Sequence, residues 1–199
     1  MPKSPMLIPV PEVMYGPRVL VRCYRPEDAS VFYAAVDESR NHLPPFEPWS
    51  DGYRLEDAIV HVNRCRARWI LREEFAAGIF DRETGRFLGA CGIHRVDWHR
   101  RLFVIGYWIR ASEEGRGYIT EAVKLLTHMA FRSLDAKRVE IRMHSLNERS
   151  RRVPERLGFR LEAVMRNAAF PMDGQQGDAL LFAMIPEDFA AQDWSKSEG

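Results

Sequence analysis

The stretch Ile105-Gly106-Tyr107-Trp108-Ile109-Arg110-Ala111-Ser112-Glu113-Glu114-Gly115-Arg116-Gly117-Tyr118-Ile119-Thr120-Glu121-Ala122 reads as an apolar strand, a glycine-punctuated turn and the opening of an amphipathic helix. Past the turn, apolar residues recur at Ile119, Ala122, Val123, Leu126, Met129, Ala130 and Leu134, the three-to-four spacing of one helical face. The turn therefore lies at a helix N-terminus, where the first backbone N–H groups lack intrahelical partners and the helix dipole favours an anion. Gly115 and Gly117 remove side chains where a ligand would approach the backbone, and Arg116 sets a permanent cation between them. Such a turn suits a pyrophosphate, and it serves equally as a plain connection that binds nothing.

The turn is not a P-loop, because no Gly-Lys-Ser/Thr closes it, nor a dinucleotide fingerprint, because the third glycine is missing. With its flanks, residues 105–109 followed by 115–122, it resembles the central motif of the GNAT N-acetyltransferases. Within that family the match is to the RimJ/RimL-like branch, which includes ribosomal-protein N-terminal acetyltransferases. The resemblance implies acetyl-coenzyme A as cosubstrate, no metal, and transfer of the acetyl group to a primary amine by direct attack on the thioester. It implies cofactor contacts from Trp108, Ile109, Arg110, Glu114, Gly115, Arg116, Gly117, Tyr118, Ile119 and Thr120. It also implies a mixed central sheet with a splayed central strand flanked by helices, where a free backbone N–H near Ile109 would polarise the thioester carbonyl. Gly106 in that strand suggests a bulge or a close backbone approach.

Asn147, Ser150, Leu157-Gly158-Phe159 and Glu162 are similar to the family's second signature. By that resemblance Asn147 holds the pantetheine arm, Ser150 donates a proton to the leaving thiolate, and Glu162 is the base, directly or through water. On local sequence alone, Asn147 and Ser150 are also good helix N-caps, and Glu162 is one strand carboxylate among many. Pro154 falls inside the helix after Ser150, where it removes a backbone bond and crowds the Ser150 carbonyl. Two departures from the family stand out: Phe103-Val104 replaces a glutamate that many relatives carry, and Phe182 replaces a tyrosine common after the aspartate at 178. With Pro154, they motivate an alternative, a non-catalytic coenzyme A-binding sensor or assembly factor.

The 199 residues carry a net charge of +1, so an acidic polymer is not indicated as an obligatory partner. Cys23, Cys65 and Cys91 contain no Cys-x-x-Cys pair and read as reduced packing thiols of a cytoplasmic protein. Neither a signal peptide nor a membrane-spanning apolar run is recognisable. The proline-rich residues 1–17 read as an extended or loosely docked arm, 18–190 as one domain, and 191–199 as a flexible tail. Strands are expected at 18–24, 75–80, 86–96, 102–109, 138–144, 159–164 and 178–185. Helices are expected from Pro26 to about Ser39, at 55–71, from the glycine turn to about Leu134, and after Ser150, the last capped by Gly158. Alternating strands and helices with a meander in the middle define a single α/β (α+β) domain.

The aromatic loop at 42–52 either plugs a hydrophobic gap or, as the resemblance implies, walls the acceptor site with Glu47 and Trp49. His94 reads as a satisfied strand histidine or as an acceptor-side residue, and the six histidines form no metal-ligand set. Arg149, Arg151 and Arg152 either reach the 3′-phosphate of coenzyme A or form a solvated helix face, and no nucleic-acid module accompanies them. The acceptor is left open among ribosomal-protein or peptide N-termini and small amines, with no membrane and no direct nucleic-acid contact; a homodimer is compatible with the sequence.

Overall fold

Strand β5 (Leu102–Ile109) carries the first half of the opening stretch and lies inside an eight-stranded sheet. The computed structural model describes residues 4–43, 46–172 and 175–196; Pro44 and Pro45 of the aromatic loop, and 197–199 of the tail, lie outside them. The other strands are β1 (Val13–Tyr15), β2 (Val19–Cys23), β3 (Phe75–Asp81), β4 (Phe87–Asp97), β6 (Arg138–His144), β7 (Arg160–Met172) and β8 (Gln175–Met184). Their order is β1-β2-β3-β4-β5-β6-β8-β7, and only β5 and β6 run parallel. The helices are α1 (Ala29–Glu38), α2 (Leu55–Leu71), α3 (Tyr118–Arg132), α4 (Glu148–Leu157) and α5 (Pro186–Ala190).

The period-two alternation of β5 sorts its residues between two cores. Phe103, Ile105, Tyr107 and Ile109 join α3 and α4, with Val123, Leu126, Met129, Val153 and Leu157 buried there. Trp108 faces the opposite side, where Phe32 and Val36 of α1 meet Ala58 and Val62 of α2. Burying a leucine such as Leu126 is worth about 1.5–3 kcal/mol, so the amphipathic face of α3 fixes its N-terminus at the end of β5.

The parallel pairing of β5 with β6 stops at Ile105 opposite Ile141, and beyond it the two strands have no further partners in each other. On its other edge β5 stays bonded to β4 through Ile109 opposite Gly89. This is the expected splay. The bulge lies in β4 rather than at Gly106: His94 is the extra residue between Ile93, opposite Ile105, and Arg95, opposite Val104. Gly106 provides the close approach instead, since a Cβ there would stand 2.9 Å from the His94 ring.

Three other expectations change. The arm is not loose throughout, because Val13–Tyr15 pairs with β2 at the sheet edge. The tail is not free from 191 onward: Asp193–Lys196 forms a 3-10 turn with Ser195 buried, and Trp194 packs on Phe189 and His128. The last two strands are longer than expected: β7 continues to Met172 and β8 begins at Gln175, paired across register irregularities between Met165 and Ala169 and between Ala169 and Met172.

The turn after β5 is tied to α1. Arg110 grips Glu38, the Ser112 N–H donates to Glu38 at 3.1 Å, and the Ala111 N–H donates to the Ser39 hydroxyl at 3.0 Å. The Arg110 guanidinium holds the Glu38 carboxyl down at about 2. A depressed carboxylate contributes stability that is present above its ordinary value of 4.5 and is lost as pH falls towards 2. Glu38→Gln should therefore cost about 1 kcal/mol at pH 7. Thermal melts should show that gap closing below pH 4.5; a gap independent of pH would remove the ion pair as its cause.

Candidate active site

A cleft of about 1060 Å³ opens where β5 and β6 separate. Its walls come from the end of β5, the turn and first residues of α3, the end of β6, the start of α4, the loop after α1, and the β7–β8 hairpin. The Arg110 N–H donates to the Leu88 carbonyl on β4 at 2.9 Å. By strand alternation the N–H groups of Tyr107 and Ile109 point the other way, into the gap. A backbone donor near Ile109 is thus aimed where a thioester carbonyl could lie.

The glycine turn meets the requirement for an anion cradle. Gly115 and Gly117 have φ of +74° and +83°, and α3 has no side-chain cap. Among the described residues, the N–H groups of Gly115, Arg116, Gly117, Tyr118, Ile119 and Thr120 have no hydrogen-bond partner in the protein. Glu114, Gly115, Gly117, Tyr118, Ile119 and Thr120 line the cleft together with Trp108 and Ile109. The two arginines expected to help them do not. Arg110 shares the α1-facing side of β5 with Trp108, and its guanidinium binds Glu38 and the Phe87 carbonyl. The Arg116 side chain turns to Glu113 at 3.3 Å, so this position offers its backbone rather than its charge. The cleft's basic wall comes from elsewhere. Arg152 and Arg156 lie one turn apart on α4 and line it, whereas Arg149 is taken by Glu114 and Arg151 by Glu155 at 2.8 Å.

Asn147 and Ser150 both reach the cleft, on the α3/α4 side of the sheet. The Asn147 Oδ1 accepts the Ser150 N–H at 3.0 Å, so the cap reading is realised and the residue is held at the cleft wall by it. Pro154 lacks the N–H that would bond the Ser150 carbonyl. The Tyr107 hydroxyl donates to that carbonyl at 3.0 Å, and the Ser150 hydroxyl donates to Tyr107 Oη at 3.2 Å. Burial pushes the Tyr107 phenol well up, so it stays protonated. Tyr107 was absent from the expected site; its place beside Ile109 on the same face of β5 was the available signal.

Glu162 is not brought to this group. It is the extra residue at a β7 register shift, between Leu161 opposite Phe182 and Ala163 opposite Leu181. Its carboxylate is bound by Arg138 at 2.6 and 3.0 Å and does not line the cleft. Glu162 is therefore not placed to act as the base.

On the α1/α2 side, Glu47 lines the cleft and accepts the Trp49 indole N–H at 2.6 Å. Trp49 packs on Phe32, Tyr53 and Trp108, with ring centroids 5.4–6.3 Å away, but remains 40% exposed and so does not fill a buried gap. His94 lies over Gly106 and bonds Glu74 through Nδ1 at 2.7 Å, while Glu74 also takes Arg68 at 2.7 Å. The hairpin adds Asn167, Phe170 and Pro171 to the mouth, residues that fall between the strands expected at 159–164 and 178–185 and carry no sequence signal of a site. Burial pushes the thiols of Cys23 and Cys65 up to about 11 and 12, which removes them as nucleophiles at neutral pH.

A sheet split beside a parallel strand pair, with unpartnered amides at the mouth, defines an acyl-transferase type of site. Residues 18–160 match the acetyltransferase (GNAT) domain, and the chain belongs to that family. It is 34% identical over 176 residues to YdaF of Bacillus subtilis (strain 168), whose name proposes a ribosomal N-acetyltransferase, covering 87% of this chain and 94% of that one. It is 32% identical over 98 residues to the ribosomal-protein-serine acetyltransferase of Escherichia coli (strain K12), covering 49% and 54% of the two chains. Mycobacterium smegmatis RimJ, solved with a coenzyme A disulfide, superposes with a TM-score of 0.80 at 26% identity, covering 89% of this chain and 86% of that one. The chain is an N-acetyltransferase of the RimJ/RimL-like kind, and nothing in the site favours a cradle that has lost turnover.

Proposed function

We propose that this enzyme moves the acetyl group of acetyl-coenzyme A to the α-amine of a ribosomal protein or another peptide N-terminus. The observation that carries the reading is the run of unpartnered amides from Gly115 to Thr120 at the mouth of the cleft. Those N–H groups and the α3 dipole hold the diphosphate, and Arg152 and Arg156 meet the remaining phosphate charge. The pantetheine arm enters the gap between β5 and β6 past Asn147, which sets the thioester against the gap-facing N–H groups of Tyr107 and Ile109. Ser150 stands at the sulfur as proton donor. Holding amine and thioester in one narrow gap supplies much of the acceleration, up to ~7–11 kcal/mol in well-oriented cases. The compartment that fits is the cytoplasm: the three cysteines are buried free thiols, and no described helix is long and apolar enough to cross a membrane.

The test pairs binding with turnover. Coenzyme A should raise the melting temperature in a concentration-dependent way. Acetyl-coenzyme A should release thiol only when a peptide with a free N-terminal serine or alanine is present. Glu162→Gln, serving as control, should keep the wild-type rate. Thiol release absent for every peptide and small amine tried would refute the transfer reading.

A further inference from the structure

We propose that Glu47 takes the proton that an ammonium acceptor must lose before it attacks the thioester. The inference rests on the acetyl-transfer reading and supplies a base that Glu162, held by Arg138 outside the cleft, does not provide.

Among the described residues, three carboxylates line the cleft: Glu47, Glu113 and Glu114. Glu113 is held by Arg86 at 2.5 Å and Arg116 at 3.3 Å, and Glu114 by Arg149. Both of these carboxylates are thus already engaged by guanidinium groups. Glu47 is in no ion pair among the described residues; its Oε2 receives the neutral Trp49 N–H. Its position is also the required one. Tyr107 and Ser150 occupy the α3/α4 side of β5, whereas the Glu47 and Trp49 segment packs on the α1/α2 side around Trp108. Donor and acceptor of protons thus approach the gap from opposite sides, so the amine can meet one while the sulfur meets the other.

Burial raises the Glu47 carboxyl above its ordinary value, towards the pH at which a base must work, while the Trp49 hydrogen bond and the charge of a protonated His94 pull it down. His94 is the titratable group acting on it from β4, with Glu74 on its Nδ1, and His61 of α2 standing behind that pair.

The step balances as follows. Glu47 removes one proton from R–NH3+, and the free amine attacks the carbonyl carbon, forming C–N. Collapse breaks C–S with the electron pair leaving on sulfur, which takes a proton by way of the Ser150 hydroxyl. The nitrogen sheds its second proton, so that of the two it loses, one replaces that given to sulfur and one reaches solvent, leaving amide, thiol and H+.

Glu47→Gln should bind coenzyme A as the wild type does in titration calorimetry. Its kcat should fall about 100-fold on peptides with N-terminal serine or alanine, and the acid limb of its kcat/KM profile should disappear. Glu47→Asp should recover part of the rate with the limb displaced. A rate within about threefold of wild type with the limb intact overturns the proposal, and so does joint loss of coenzyme A binding, which would give Glu47 a structural part only. If the wild type acetylates no peptide and no small amine, the transfer reading has failed and Glu47 is judged by its own titration. Tryptophan emission of the coenzyme A complex should then show a transition with midpoint above 4.5 that is missing from Glu47→Gln and Trp49→Phe. A midpoint at or below that value overturns the proposal.

Discussion

Gly117→Asp is expected to weaken coenzyme A binding at least about 100-fold, roughly 2.8 kcal/mol, in titration calorimetry. Gly117 sits at the N-cap of α3 with φ +83°, a left-handed conformation that costs an L side chain about 1–2 kcal/mol. Aspartate is among the favoured caps, and its carboxylate at the positive end of α3 returns about 1 kcal/mol. The two terms nearly cancel, so the melting temperature of the ligand-free variant should move little. Binding has no such compensation. The new carboxylate would occupy the amides meant for the diphosphate and repel its charge. Gly117→Ala separates the effects, since it carries the strain without the charge and should lose far less affinity. If the aspartate variant bound coenzyme A normally, the unpartnered amides would not be the phosphate site.

Most of the fold could be read because its elements are locally consistent. α2 and β6 fall at 55–71 and 138–144 as their periodicity predicts, and α3 follows its apolar stripe to within two residues of Leu134. The cradle was legible for the same reason: glycine spacing and helix onset are local properties. What escaped depended on irregular strands. A bulge breaks the alternation that tells which side a residue faces, and both Glu162 and His94 are bulge residues. Glu162 kept the family spacing along the chain yet was turned to Arg138. Arg110 is a different case, because alternation is unbroken there. Its shared side with Trp108 points it to α1, which a linear motif does not express. The extension of β7 to Met172 and of β8 back to Gln175 takes in Asn167, Pro171 and Gly177, residues that carry no strand signal of their own. They are strand because β7 and β8 bond each other across three irregularities, a tertiary fact.

Ser150→Ala is expected to lower kcat about 100-fold on the best peptide acceptor, with the affinity for coenzyme A within about threefold of wild type. The geometry separates this hydroxyl from its neighbour. Because position 154 is proline, the Ser150 carbonyl is free to accept the Tyr107 hydroxyl, which fixes the phenol as a donor to backbone. The Ser150 proton then points to Tyr107 Oη at rest, and a sulfur acquiring negative charge is a stronger acceptor that can draw it away. Tyr107→Phe leaves the Ser150 carbonyl without its partner and should cost about 1–3 kcal/mol of stability, with a rate loss smaller than that of Ser150→Ala. Pro154→Ala restores a helical N–H able to serve that carbonyl. Combining it with Tyr107→Phe should recover part of the stability, a coupling that a double-mutant cycle reads directly. Should Ser150→Ala retain its rate while Tyr107→Phe loses it, the order of the pair is reversed, and the phenol rather than the serine supplies the proton to sulfur.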